Sequence, residues 1–311
     1  MMTLALDDDQ QLLGRSLRQL LGRLCPPSAV RAAWNDGPSR ERWNELCAAG
    51  LPSLLIDSTE VELVVALEET GRVALPEPIL EAAVAAPLLP ERWRAATVGI
   101  GPLVVVDSDV FVMEDAAGLV ALERAAVTLE PVRSVDGSRR LARVTWRRED
   151  GVALGPTGEL PDRAALGAAA QLLGLGRRML ELTIEYVKVR QQFGRPVGSF
   201  QAVKHHLADA HVRLEVAAPS VLRAAAAMAR REPGRDARVS MAKVLASDAA
   251  TFAARKALQC HGAIGYAFEN DLHLWMKRAW ALASTWGDAA WHRARLAAAV
   301  LDGGLDFELG G

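Results

Sequence analysis

Twelve consecutive residues, Arg190-Gln191-Gln192-Phe193-Gly194-Arg195-Pro196-Val197-Gly198-Ser199-Phe200-Gln201, gather a guanidinium, an aromatic ring and several amides around a forced helix break. Arg190 can fork onto a pyrophosphate, Phe193 can lie against an adenine or ribose, Gly194 lets the chain turn, and Gln201 offers an amide to the same ligand. The same residues also read as a basic loop between two helices stopped by Gly and Pro, and the segment alone leaves both readings open. Further on, Gln259-Cys260-His261-Gly262-Ala263-Ile264-Gly265-Tyr266 ends a helical run with an amide, then exposes small residues whose backbone can approach a phosphate closely. A glycine C-cap is the alternative there.

Other chemistry is sparse. No GxGxxG follows a strand, and neither GxxxxGK[ST], GxSxG nor HExxH occurs. His205, His206 and His211 lie near Asp209, but acidic neighbours at i, i+4 are common on solvated helix faces and no third ligand is adjacent, so no metal site is expected. With 36 basic against 38 acidic residues the chain lacks the positive field of nonspecific nucleic-acid binding. Cys25, Cys47 and Cys260 are odd in number and form no CxxC, which predicts a reducing cytoplasm. Met1 to Gln10 turns acidic before any apolar run, the wrong order for a signal peptide. The longest uncharged apolar stretch, Ala164 to Gly176, is 13 residues, short of the ~20 a membrane helix needs.

Three kinds of pattern must position these segments. From Asp7 to about Arg94, apolar residues recur at spacings of three and four (Leu12, Leu13, Leu17, Leu20, Leu21, Leu24), with breaks at Pro26-Pro27, Gly37-Pro38 and Gly50. A second helical stretch, Glu60 to Gly71, takes Gly71 as its C-cap. Between Ile100 and Gly155 the pattern changes to β-branched runs (Val104 to Val106, Val110 to Val112, Ala142 to Trp146), with room for about five short strands. From Pro161 the helical period returns. Leu166, Leu173, Leu180, Ile184 and Val187 form one stripe, stopped by Gly194 and Pro196. Ser199 is the expected N-cap of the next helix, which carries Phe200, Val203, Leu207, Leu214 and Val221. A third helix runs from about Asp236 to Gln259 and a fourth from about Asp288 to Leu301, predicting an antiparallel bundle of four. Gly174 and Gly176, inside the first of these helices, are expected at close helix contacts. The fold class is mainly α with a small β middle domain, divided as 1–98 helical, 99–157 reduced β and 158–311 helical bundle.

The two segments, in this order and two helices apart, resemble the C-terminal bundle of the acyl-CoA dehydrogenase family. The likeness continues through Glu269-Asn270-Asp271-Leu272-His273, Lys277-Arg278-Ala279 and Gly287-Asp288-Ala289-Ala290-Trp291-His292-Arg293. It covers roughly Arg177 to Leu301, and to a lesser degree the N-terminal Leu67-Glu68-Glu69-Thr70-Gly71-Arg72. The resemblance implies that helical, sheet and helical domains follow one another. It also implies an FAD lying across a subunit interface, gripped in its ADP half by Arg190, Phe193, Gln201, Gln259 and Gly262, with Ala263 where the family has a second glycine.

In that family a carboxylate takes the α-proton of an acyl thioester while flavin N5 takes hydride from the β-carbon. One usual base position here reads Trp286, and the other falls near Ala164. Glu159, Asp162 and Asp288 are the nearest acids, while Glu269 belongs to the family pattern as a structural residue. The Trp286 indole is expected to fill the α-carbon's place and close this chain's own acyl pocket. The flavin-ring motif of the middle domain is missing between Ile100 and Gly155. The resemblance therefore implies a small subunit without a catalytic residue, which completes the FAD site of a full-length sister in an α2β2 assembly. Its substrate would be a bulky acyl-CoA, including steroid side-chain thioesters, held on the sister. A self-sufficient homodimer with an atypical base and a flavin-free structural protein are the alternatives.

Overall fold

Residues 5–301 are described in the computed structural model, so Met1 to Leu4 of the acidic N-terminus and 302–311 of the expected bundle domain lie outside the described residues. Helix α1 (Asp8–Leu24) opens on a capping box: Asp7 accepts from the Gln10 N–H, and the Gln10 side chain accepts from the Asp7 N–H. It buries Leu17 and Leu21 and leaves Leu12 exposed. Gly37, at φ 81°, separates α2 (Pro27–Asp36) from α3 (Arg40–Ala48), and Gly50, at φ 77°, breaks the chain before the short α4 (Leu54–Asp57). Next come α5 (Glu60–Arg72), with a Thr59–Glu62 capping box, and α6 (Ile79–Ala85). Gly71 is not the C-cap expected of it. The helix continues through Gly71 and ends at Val73.

The middle piece holds seven strands rather than about five: β1 (Val98–Ile100), β2 (Val104–Val105), β3 (Val110–Asp115), β4 (Gly118–Glu123), β5 (Thr128–Val132), β6 (Leu141–Thr145) and β7 (Val152–Gly155). They form two small sheets, ordered β1-β3-β4-β7 and β2-β6-β5, where a single one was expected. Val104, Phe111, Met113, Val120, Leu122 and Val127 make a separate small core there.

The helical part begins with α7 (Leu160–Val189), a hairpin of β8 (Gln191–Gln192) and β9 (Arg195–Pro196), and α8 (Gln201–Ala229). It continues with α9 (Arg235–His261), α10 (Leu272–Ser284) and α11 (Ala289–Leu301). All four expected bundle helices are present, and α10 is an additional helix beside them. Ser199 does not cap α8. Phe200 takes the N-cap position, and the Ser199 hydroxyl donates to the Pro196 carbonyl at 2.7 Å. Gly71 and Gly174 have one physical reason: α5 and α7 touch backbone to backbone. A Cβ on Gly71 would collide with the Gln171 carbonyl, and one on Gly174 with the Glu68 carbonyl. A Cβ on Gly176 would meet Leu214 of α8, so both α7 glycines sit at helix contacts.

One buried guanidinium joins the three parts. Arg278 of α10 donates Nη1 to the Leu75 carbonyl (2.7 Å), Nη2 to Ser138 Oγ (2.7 Å) and Nε to Asp136. Asp136 and Ser138 belong to the β5–β6 connection, and Leu75 follows α5. Burial alone would raise the Asp136 pKa, but the Arg278 charge and the Ser138 bonds hold it below the usual carboxylate range. Replacing Arg278 by Met leaves Asp136 buried and unpaired, which should cost about 3–5 kcal/mol. Arg278→Met with Asp136→Leu should regain much of that loss. Denaturant unfolding of the two variants checks this, and equal stabilities would contradict it.

Candidate functional site

The break after α7 is a two-residue hairpin. Phe193 and Gly194 form its turn with φ of 53° and 76°, the paired left-handed conformation that tight hairpins use. Glycine adopts this freely. A bulky aromatic does not, and Phe193 is held there with its ring 91% exposed. Phe200 meets that ring edge-on at 6.1 Å, and the Arg195 guanidinium lies 4.2 Å over Phe200. The Phe193 ring therefore faces solvent beside a half-buried Phe200.

Arg190 is the C-cap of α7. Its N–H donates to the Tyr186 carbonyl (2.9 Å), and its own carbonyl accepts from the Val197 N–H (2.8 Å), which fixes the start of its side chain. Its guanidinium has no ion-pair or hydrogen-bond partner among the described residues. Gln259 and Gly262 arrive opposite it at the end of α9, where Gly262, at φ 65°, turns the chain into a 3-10 turn. A Cβ on Gly262 would meet nothing within 4 Å, so that backbone is open to approach. Ala263, on the same turn, keeps an ordinary negative φ, so its methyl is accommodated without strain.

Arg190, Gln259, Gly262 and Ala263 thus line one cleft of about 320 Å³, with Tyr186, Gln192 and His261. Phe193 and Gln201 stay outside it. Gln201 sits on the exposed first turn of α8, so the cleft and these two residues form an extended surface rather than one closed pocket.

One lining residue, Tyr186, lies outside the segments singled out in the sequence, and His261, inside the second of them, has no role assigned there. Tyr186 stacks on His261 with centroids 4.4 Å apart and planes 11° apart, which makes the cleft floor aromatic. Tyr186 precedes Arg190 by four residues on one helix, and that spacing was the available signal. His261 Nδ1 lies 2.9 Å from the Ala257 carbonyl, and burial lowers its pKa. The ring is neutral at pH 7, leaving Arg190 as the cleft's one cation among the lining residues.

A second cleft, of about 450 Å³, lies between the small sheets and the α10–α11 turn, lined by Ile100, Leu103, Val135, Leu141, Ala281 and Trp286 among others. Trp286 forms one wall of this cleft. No acidic side chain lines this cleft among the described residues. Asp288 instead accepts from the Trp291 N–H (2.8 Å) at the start of α11, Asp162 pairs with Arg295, and Glu159 pairs with Arg235 (2.6 Å). Glu269 is exposed.

Elsewhere, His206 Nδ1 lies 3.0 Å from Lys256 Nζ, and no cluster of three metal-ligating side chains occurs among the described residues. The three cysteines are free, and no described helix is long and apolar enough to cross a membrane.

Residues 162–301 match the model of the acyl-CoA dehydrogenase C-terminal domain. Acyl-CoA dehydrogenase IpdE2 of Mycobacterium tuberculosis is 32% identical over 297 residues, covering 88% of this chain and 91% of that protein. Among solved structures, a chain of the ChsE4–ChsE5 complex from Mycobacterium tuberculosis superposes with a TM-score of 0.85 at 20% identity, covering 97% of this chain and 99% of the other. The Tcur3481–Tcur3483 steroid ACAD gives 0.83 at 22% identity, with the same two coverages of 97% and 99%. These two structures share the fold. The near-full-length likeness to IpdE2, with the domain match over the bundle, shows that the chain belongs to the acyl-CoA dehydrogenase family.

Proposed function

We propose that this chain is the smaller subunit of a heteromeric, FAD-dependent acyl-CoA dehydrogenase, cytoplasmic and α2β2, whose full-length sister holds a bulky acyl-CoA of the steroid side-chain kind. The chain supplies the outer half of the sister's FAD site and no base. The observation that carries this reading is the unpartnered Arg190 guanidinium, fixed at a helix end and facing Gln259 and the open backbone of Gly262 across a surface cleft. A charge left free beside the open backbone of a glycine suits a pyrophosphate. The neutral, aromatic floor of Tyr186 and His261 adds no competing charge.

In this reading Arg190, Gln259 and Gly262 hold the ADP half of FAD, while Phe193 and Gln201 flank it from the hairpin and α8. FAD, when bound, supplies the acceptor for the hydride leaving the acyl β-carbon. The α-proton goes to a carboxylate of the sister subunit, because the cleft beside Trp286 presents none. Two observations favour a heteromer of this type over a homodimer. The nearby acids are engaged in capping and ion pairs. The fold neighbours include the two-protein ChsE4–ChsE5 complex and a steroid ACAD.

Purified alone, the chain should carry little FAD, and co-expression with a full-length acyl-CoA dehydrogenase-like partner should yield a yellow complex. In that complex Arg190→Ala should weaken FAD by about 1.5–3 kcal/mol, roughly ten- to hundredfold, with the melting temperature of the apo form unchanged. Stoichiometric flavin in the isolated chain, or collapse of the apo fold on Arg190→Ala, contradicts the reading.

Removing a true base lowers turnover by about 10² to 10⁴. Glu159→Gln, Asp162→Asn, Asp288→Asn and Glu269→Gln should each leave the turnover of the folded complex within a small factor. A hundredfold loss in any of them, with flavin retained, makes this subunit catalytic.

A further inference from the structure

Lys243, on α9, is 0% exposed and has no carboxylate within ion-pair distance among the described residues. Its ammonium donates to three carbonyls: Leu282 (3.2 Å) and Ala283 (3.1 Å) in the last turn of α10, and Gly287 (3.0 Å) beyond it. Ser247 Oγ is a fourth neighbour at 3.4 Å. From α11, His292 approaches the same turn, its Nε2 2.9 Å from the Trp286 carbonyl and its Nδ1 3.1 Å from Ser240 Oγ. A carbonyl only accepts, so Nε2 carries the proton and the Ser240 hydroxyl donates to Nδ1. Trp286 is strained in the turn so held, at φ 60°, beside Gly287, which adopts its 89° freely. It brings the indole within 3.6 Å of where a Cβ on Gly101 would stand.

Burial lowers the Lys243 pKa to about 8, with Asp288 opposing the shift. The other charged or titratable groups facing this site are His292, whose pKa is also lowered by burial, and behind it the Arg295–Asp162 pair. A buried lysine whose pKa falls in this way costs stability while it is charged, and an apolar side chain of its size commonly does as well or better. Stability therefore gives no reason for a lysine here, whereas three converging carbonyls do. The last carbonyls of a helix attract a cation, and an ammonium has one hydrogen for each of these acceptors.

We propose that Lys243 is a positioning residue whose ammonium, together with His292, splints the Thr285–Gly287 turn so that Trp286 stays against Gly101 as a wall of the second cleft. The inference rests on this geometry and is independent of the FAD reading. It separates local order from global stability. Because the unfolded lysine keeps its proton to higher pH, this group's contribution to stability rises between about pH 8 and its ordinary 10.5. Over the same interval the neutral amine loses one of its three donors and the turn is released.

Acrylamide quenching of tryptophan fluorescence in the full chain tests this, with the Trp286 contribution taken as the difference from Trp286→Phe. That contribution should be shielded at pH 7 and become at least threefold more accessible by pH 10, with the far-UV circular dichroism unchanged. Lys243→Met should show the higher accessibility at both pH values. Where Lys243→Met does not fold, Asp288→Asn decides, since removing the charge that keeps Lys243 protonated must move the midpoint to lower pH. A Trp286 contribution indifferent to pH, a pH response that survives in Lys243→Met, or an unmoved midpoint in Asp288→Asn overturns the proposal.

Discussion

The buried Arg278 guanidinium is the constraint on which the arrangement of the three parts depends. It satisfies the Leu75 carbonyl behind the N-terminal helices, Asp136 and Ser138 of the small sheets, and itself on α10. An ion pair this deep is weak evidence of stability, because desolvation offsets most of its attraction. Its directional bonds nevertheless accept only one placement of three segments. Moving any of them would strand a charge or a carbonyl out of water. The same helix ends at the turn bearing Trp286, so the second cleft inherits its shape from this anchor.

Small residues do the corresponding work for the first cleft. Gly71, Gly167 and Gly174 let α5, α6 and α7 approach until a single added methyl would collide with a neighbour. The ion pairs Arg177–Glu68 and Arg72–Glu181 then flank the contact at 2.5 and 2.6 Å. Helix α7 has 30 residues, which at 1.5 Å per residue is about 45 Å of rod, and Arg190 is fixed at its far end. Ligand-facing charge on a rigid element needs little ordering when the ligand arrives.

Much of this was legible in the sequence. The helical, strand-rich and helical thirds follow from hydrophobic period, and the Arg190 and Gln259 segments announce themselves by placing amides and a guanidinium at glycine breaks. What stayed hidden has physical causes. Helix α10 buries His273, Leu274 and Arg278 besides the stripe Leu272, Trp275, Met276, Ala279 and Leu282, and Asp271 at its N-cap position makes no side-chain cap, so neither a clean polar face nor a start signal marks it. Gly71 carries the same local signal as a C-cap, and only its contact with Gln171 distinguishes close packing from chain termination. Of the strands outside the β-branched runs, β1 and β7 are only three and four residues long and owe their pairing to β3 and β4. Nothing in the sequence around Lys243 and Arg278 marks their burial, since burial of a charge is decided by carbonyls and carboxylates brought from elsewhere. The stacking of Tyr186 on His261 likewise joins α7 to α9 across 75 positions.

On the proposed function, this chain carries the outer half of a flavin site and its sister carries the half that holds the ring. Flavin counting in the co-purified complex, by visible absorbance against the amount of each chain, tests it most directly. One FAD for each pair of unlike chains is the expected result. Two FAD per pair would mean that this chain also houses a flavin of its own, and would contradict the account.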